Sequence, residues 1–335
     1  MLTFLIRRLL FLVFVVVGVS LLTFVVSHLV PSDPARLMVG KTATAAQIAQ
    51  ARHTLGLDQP LPVQYLLYMK GLLHGDFGQS VYSHRSVLDD FGDYFPATVE
   101  LTFYALLFCI IIGLPLGVLS ALYKGSWLDQ TTRTFAMAGV ALPIFWLGLV
   151  LQVLVYGRLH LLPAGGRVDA LVNAPHHITG LYTIDSLLTG NWSVFGNSLA
   201  HVLLPAFTLA FASLATVTRV TRASMLEALQ QDYIRTARAK GLSRRTVSFR
   251  HALRNALIPT TTLLGLQVGS LLGGAFLVEI VFSWPGIGFY SVQAIRAFDY
   301  AAIMGITVII AVVYIAVNLL VDILYAVIDP RITYA

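Results

Sequence analysis

Residues 232–259 read DYIRTARAKGLSRRTVSFRHALRNALIP, a strongly basic, helix-forming segment hung between two long apolar runs. From residue 219 to 258, Arg219, Arg222, Arg235, Arg238, Lys240, Arg244, Arg245, Arg250 and Arg254 stand against only Glu227 and Asp232. That local excess is larger than the +6 of the whole chain. A chain that keeps such a segment beside apolar runs is offering it to something outside the hydrocarbon, a lipid surface or a partner.

The surrounding composition is that of a polytopic membrane protein. Hydrophobic residues make up 57% of the chain, charged residues only 11%, and mean hydropathy is +0.78. A soluble domain carries about 25% charge. Uncharged runs at 9–29, 101–123, 134–157, 185–218, 255–278 and 300–321 each reach the roughly 20 residues a spanning helix needs. The fold class is therefore an all-α integral membrane protein of about six spans.

Placing the N-terminus in the cytoplasm puts fourteen Lys or Arg inside: Arg7, Arg8, Lys124, Arg133, the nine of the basic loop and Arg331. Of the rest, five lie in the long segment 31–97, beyond the loop length within which the rule counts charge, leaving only Arg158, Arg167 and Arg296 outside. Both termini are predicted to be cytoplasmic. Arg7 and Arg8 followed by an apolar run resemble a signal peptide, but the run is too long and lacks a small-residue cleavage site, so it reads as a retained first helix. Cys109 lies inside the second run and has no partner for a disulfide within the chain.

Three regions follow: 1–30 with the first span, an extracytoplasmic segment 31–97, and a core 98–335 holding five spans and the basic loop 219–258. Leu61, Tyr65, Leu66, Tyr68, Met69 and Leu72 recur at helical intervals, predicting short amphipathic helices on the membrane surface. Residues 158–197 carry enough Gly and Pro to predict a loop with one short helix. No internal repeat is visible, which weighs against inverted-repeat transporters.

In the basic segment, Met225, Leu226, Leu229 and Tyr233 keep helical spacing, and good helix formers continue to Lys240. Gly241 supplies a stop and Ser243 a cap for the next helix. There Phe249, Ala252, Leu253, Ala256 and Leu257 form one apolar stripe. The result is helix, turn, helix: a compact knob. Charge and amphipathicity leave a lipid surface and a protein partner equally open, while nucleic acid is disfavoured because no aromatic platform interleaves the arginines.

The chain resembles the inner-membrane permease subunits of bacterial ABC importers of the dipeptide, oligopeptide and nickel group, most of all the first permease of dipeptide systems. The resemblance rests on FLIRRLL at 4–10, PSDP at 31–34, LGLDQPLPVQY at 55–65, GDFGQS at 75–80, ATVEL at 97–101, LPIFWLG at 142–148, DYIRTARAKGLS at 232–243, EIVFSWPGIG at 279–288 and VDILYAVIDPRI at 321–332. It implies the type I ABC importer permease fold and a multi-pass place in the bacterial inner membrane. It also implies a second homologous permease, two ABC ATPases carrying ATP and Mg, an extracytoplasmic peptide-binding protein and membrane lipid as partners, with no cofactor on this chain.

In such permeases a cytoplasmic loop with an E-A-A-x-x-x-G core docks in the ATPase. The resemblance assigns that role to Tyr233, Ile234, Arg235, Thr236, Ala237, Arg238, Ala239, Lys240 and Gly241, with Arg235 where the general pattern has Glu. Small Ala237 and Ala239 would allow close approach, and Arg235, Arg238 and Lys240 would supply polar contacts. Gly241 also serves simply as a helix stop in the plainer reading. Gly265, Gly269, Gly273 and Gly274 form a small-residue ladder that lines the pathway by analogy, or packs helices within the chain.

Other motifs read less sharply. ARLMVGKT at 35–42 mimics a phosphate loop, but it follows a span and faces outward, so it is judged a false match and the chain no enzyme. Glu100, Glu279 and Asp322 sit toward span ends and His201 opens the fourth, which gives no midplane charge pair for a proton-coupled carrier. His74, His84, His176 and His177 lack the companions of a metal site. The predicted function is a permease for di- or oligopeptides, with nickel chelates, glutathione or haem as alternative cargoes and a stand-alone secondary transporter as the distant alternative.

Overall fold

The computed structural model describes residues 2–29, 34–40, 43–54 and 56–328; among them no strand forms. The helices are α1 Leu2–Leu29, α2 Pro34–Val39, α3 Ala45–Thr54, α4 Leu61–Leu73, α5 Val87–Leu122, α6 Trp127–Ala141, α7 Ile144–Arg158, α8 Tyr182–Leu188, α9 Trp192–Ala228, α10 Asp232–Ala239, α11 Arg244–Val281, α12 Ile287–Arg296 and α13 Tyr300–Ile328. Of these, α1, α5, α9, α11 and α13 are long and apolar enough to cross a bilayer, and α6 with α7 makes a sixth crossing if the bent pair is one span.

Three spans depart from the expected boundaries. The run at 134–157 is not one helix: α6 and α7 meet at 112°. Pro143 has no N–H to continue the ladder and forces Leu142 into an extended conformation, φ −85° and ψ 131°. The second span begins at Val87, well before residue 101, so Glu100 lies within α5. The run from Asp185 divides into α8 and the 37-residue α9, whose first turn is capped by Asn191 accepting from the Val194 N–H. His201 therefore lies inside α9 and is buried, 3% exposed, instead of opening it.

The chain divides into two compact units, Met1–Phe95 with Gly286–Ala335, and Pro96–Pro285. In the first, α1 packs on α13 and α4. The predicted apolar face of α4 meets α1 itself: Tyr65 Oη lies 3.0 Å from Ser20 Oγ, and the Phe24 ring sits 5.4 Å from Tyr65 and 6.3 Å from Tyr68. Val87, Tyr290, Ala294, Ala302 and Ile306 form the core. Two carboxylates are buried beside it. Asp299 accepts from Ser80 Oγ at 2.6 Å and caps α13 through the Ala302 N–H at 3.0 Å; Asp90 accepts from the Tyr290 hydroxyl at 2.6 Å and from Ser83.

In the second unit α9 is the central post, with α5, α6, α7, α8 and α11 packed on it. Small residues set the spacing. A Cβ added to Gly117 would lie 2.6 Å from Thr221 Cβ, and one on Gly139 only 2.4 Å from Ala215 Cβ, so these helices touch backbone to backbone.

At one end of this unit, polar groups tie loop 159–181 and α8 to the spans. Arg167 donates to Glu100 at 2.6 Å and to the Gly180 carbonyl at 2.7 Å, with its guanidinium 3.5 Å from the Tyr182 ring centre. Glu100 also accepts from the Thr183 N–H and hydroxyl. Glu279 ties α11 to α5, accepting from Thr98 at 2.6 Å. Nearby, burial pushes the Asp185 carboxyl up, but hydrogen bonds from the Thr179 hydroxyl and from three consecutive N–H groups at 178–180 together hold it below its ordinary value. The side chain of Asp322 and residues Lys41, Thr42 and Arg331 lie outside the described part.

Candidate coupling site

The basic segment folds differently from the continuous helix that its propensities predict. Helix α9 stops at Ala228, residues 229–231 turn, and Gln231 is extended at φ −69° and ψ 153° before α10 begins. No Gly or Pro marks this break. It is made because Ile234 and Ala237 then reach a shared apolar cluster with Met225, Ala228, Val247 and Ala256, which a straight helix would carry them away from. Ile234 is fully buried and Ala237 is 7% exposed. Burying two such side chains outweighs the modest helix propensity of three turn residues.

One face of α10 is thus committed to its own chain. Tyr233, Arg235, Thr236, Arg238, Ala239, Lys240 and Gly241 remain exposed. This corrects the expectation for Ala237, which faces inward and is not available for close approach by another subunit; Ala239 is. Among the described residues, Arg235 pairs with the exposed Asp232, at 3.1 Å.

The end of α10 behaves as predicted. Gly241 adopts φ +75°, its N–H bonds the Arg238 carbonyl at 3.0 Å, and the Leu242 N–H reaches the Ala237 carbonyl at 3.4 Å, the paired closure that a left-handed glycine permits. Ser243 then caps the next helix, accepting from the Thr246 N–H at 3.2 Å. That helix is not half of a free knob. It continues through a π turn at Val247–Ala252 into the 38-residue α11. The predicted stripe holds at Ala252 and Ala256, which are buried, and Val247 and Ser248 extend it; only Phe249, inside the π turn, leaves it and is 49% exposed.

Two arginines of the segment fasten the turn between α5 and α6. Arg222 on α9 grips Asp129 with both arms, Nε to Oδ1 at 2.7 Å and Nη2 to Oδ2 at 2.9 Å. Asp129 also accepts from Ser120 Oγ at 2.6 Å and the Gly125 N–H at 3.0 Å. Arg244, at the foot of α11, donates to the Leu122 carbonyl at 2.8 Å and lies over the Tyr123 ring at 5.7 Å. The reading of the sequence passed over this cluster. Its signal was present: Ser126 and Asp129 have the spacing of a helix cap, and Asp129 is the lone acid between residues 101 and 168.

In the glycine ladder of α11, Gly273 and Gly274 are not close-packed within the described part of the chain. Gly269 is buried, but a Cβ on Gly273 would meet nothing within 4 Å and one on Gly274 only Leu209 Cδ1 at 3.6 Å. Close approach belongs instead to Gly117 and Gly139. The four histidines form no ligand set, and among the described residues no metal-holding group of three exists. The phosphate-loop mimic begins in α2, and the helix α1, not a strand, leads toward it.

Residues 113–334 match the family of binding-protein-dependent transport system inner membrane components, and residues 1–102 match its N-terminal companion. The chain belongs to this permease family. It is accordingly a multi-pass inner-membrane transport component. Among similar proteins, the probable D,D-dipeptide transport system permease protein of Escherichia coli (strain K12) is 52% identical over 96% of this chain and 94% of its own length. The dipeptide transport system permease protein of Alkalihalophilus pseudofirmus is 43% identical over the full length of both chains. A glutathione transport system permease protein of Escherichia coli O1:K1 is 38% identical, again over both full lengths.

Proposed function

We propose that the permease is the membrane-spanning subunit of an ATP-driven peptide importer, forming half of a pore completed by a second, homologous permease. Both termini and the 219–258 loop lie in the cytoplasm, where two ATPases dock; a peptide-binding protein delivers cargo from the other side. The supporting observation is α10: a short helix locked to the spans by Ile234 and Ala237, with Arg235, Thr236, Ala239 and Lys240 turned outward.

Force applied to that outer face has a defined route. Ile234 and Ala237 pass it to the end of α9 and the foot of α11, and the Arg222–Asp129 and Arg244–Leu122 bonds carry it to the α5–α6 turn. Closing of the nucleotide-bound ATPases then rocks these helices as one body. The names of the dipeptide relatives support small peptides as cargo, and the 52% identity to a D,D-dipeptide permease favours a second reading in which the peptides carry D residues.

Both readings are checked in proteoliposomes holding the permease, its partner permease, the ATPases and the binding protein. ATP-dependent uptake of a labelled dipeptide is expected, and competition by L,L- against D,D-dipeptides decides between the readings. Uptake by the permease alone on a proton gradient would sink the proposal. Ala239→Cys should crosslink to an ATPase, with buried Cys109 silent as an internal control.

A further inference from the structure

Beside α10 lies a cavity of about 420 Å3 lined by the aliphatic Leu122, Leu229, Leu242 and Val247, by Ser248, and by Arg238 and Arg244. No acidic residue lines it. Two guanidinium groups over an apolar floor are suited to a ligand with an anionic head and an apolar body. The depth of the cavity points to the source. The apolar stretch of α5 ends at Leu122, and the next aromatic residues, Tyr123 at 53% and Trp127 at 76% exposure, have the composition of the headgroup layer. Arg244 over the Tyr123 ring sets one guanidinium at that same level.

We propose that this cavity binds the phosphate headgroup of an anionic phospholipid, with Arg238 and Arg244 as its donors and the four aliphatic residues receiving the glycerol and upper acyl chain. Arg244 already uses one arm on the Leu122 carbonyl, and its planar fork leaves further N–H groups for a phosphate oxygen. The arginines of the segment thereby divide: Arg235 and Lys240 remain on the docking face, while Arg238 and Arg244 turn to lipid. The lipid would brace the link between α10 and the α5–α6 turn. This inference rests on the membrane-spanning reading alone and stands whichever side the loop occupies.

The test uses the complete importer in nanodiscs of mixed phosphatidylglycerol and phosphatidylcholine, with lipid retained on the complex read by native mass spectrometry and ATPase co-purification read in parallel. Wild type should retain phosphatidylglycerol over phosphatidylcholine. Arg238→Glu, which leaves every contact of Arg244 in place, should lower that retention at least tenfold, and Arg238→Gln with Arg244→Gln should abolish it. Arg245→Gln, exposed but outside the cavity, should change nothing. Equal retention of the two lipids, or displacement of phosphatidylglycerol by millimolar inorganic phosphate, would overturn the proposal. So would an Arg238→Glu complex that keeps its lipid and loses its ATPases, since the cavity would then receive a protein carboxylate. ATPase co-purification reports separately on the coupling proposal.

Discussion

Two arginine–carboxylate pairs hold loops to the same post of helices, and they are built differently. Arg167 and Glu100 are both sealed, at 6% and 1% side-chain exposure, with Thr183, Gly180 and Tyr182 closing round them. Arg222 and Asp129 form the better fork, yet Arg222 keeps 20% side-chain exposure and the pair is open on one side. Charges sealed from water are costly to separate, because each left alone keeps its desolvation penalty; a pair with a wet side can part and reform. The sealed pair suits a fixed clasp on loop 159–181. The half-open pair ties α9 to the α5–α6 turn, on the route proposed to carry force from α10.

The strongest way to break this contrast is Glu100→Gln, which strands Arg167 without its counter-charge. A loss of about 3–5 kcal/mol is expected in thermal unfolding of the purified complex. A loss near zero would mean that water enters the clasp. Asp129→Asn keeps the shape and removes the charge at the wetter site, so a smaller loss of about 1.5–3 kcal/mol is expected. Its signature is that ATP-driven uptake falls further than stability does; equal falls would make the pair a second static clasp.

Between the two ends runs α11, with Gly273 in open space. Gly273→Ala should gain up to about 1 kcal/mol in the isolated permease by helix propensity. Lost uptake despite that gain would place Gly273 against the partner permease. The smallest effect is reserved for pH at the sealed end. Asp185 has its folded pKa held below its unfolded value of about 3.9, so its contribution is present above that pH and lost only as pH falls through the folded value. Hydrogen-exchange protection of residues 178–190, corrected for the intrinsic pH dependence of amide exchange, should therefore be flat from pH 8 to about 5 and fall only in stronger acid.

Much of this was legible in the chain. Five spans, the capping roles of Gly241 and Ser243, and the helical face of residues 61–73 follow from hydropathy and local hydrogen bonding, which a sequence carries residue by residue. The break at Pro143 was legible too, since proline interrupts a ladder whatever surrounds it, but the apolar run around it masked the signal. The turn at 229–231 was not. Gln230 and Gln231 are acceptable helix formers, and only the burial of Ile234 against Met225 and Val247 makes the break favourable. Phe249 left the predicted stripe for a related reason: it sits inside the π turn, which takes its side chain off the face that Ala252 and Ala256 keep and leaves little trace in composition.

The candidate site divides along the same line. That a short helix runs up to a stop at Gly241 was readable from the order Arg235 through Gly241; which of its residues face outward was not. Ala237 and Ala239 are identical to any propensity scale, and two positions apart on a helix they point to different sides. Similarly, Gly273 looked like a packing residue and Gly139 did not, although it is Gly139 that meets the backbone of α9.

By itself the sequence determined that the chain is helical, that it spans a membrane and that one basic segment stays outside the hydrocarbon, because transfer free energy and backbone hydrogen bonding act locally. Only the tertiary structure decided which arginine grips Asp129, which glycine lets helices touch and which face of α10 is left for a partner, because those depend on residues brought together from distant parts of the chain.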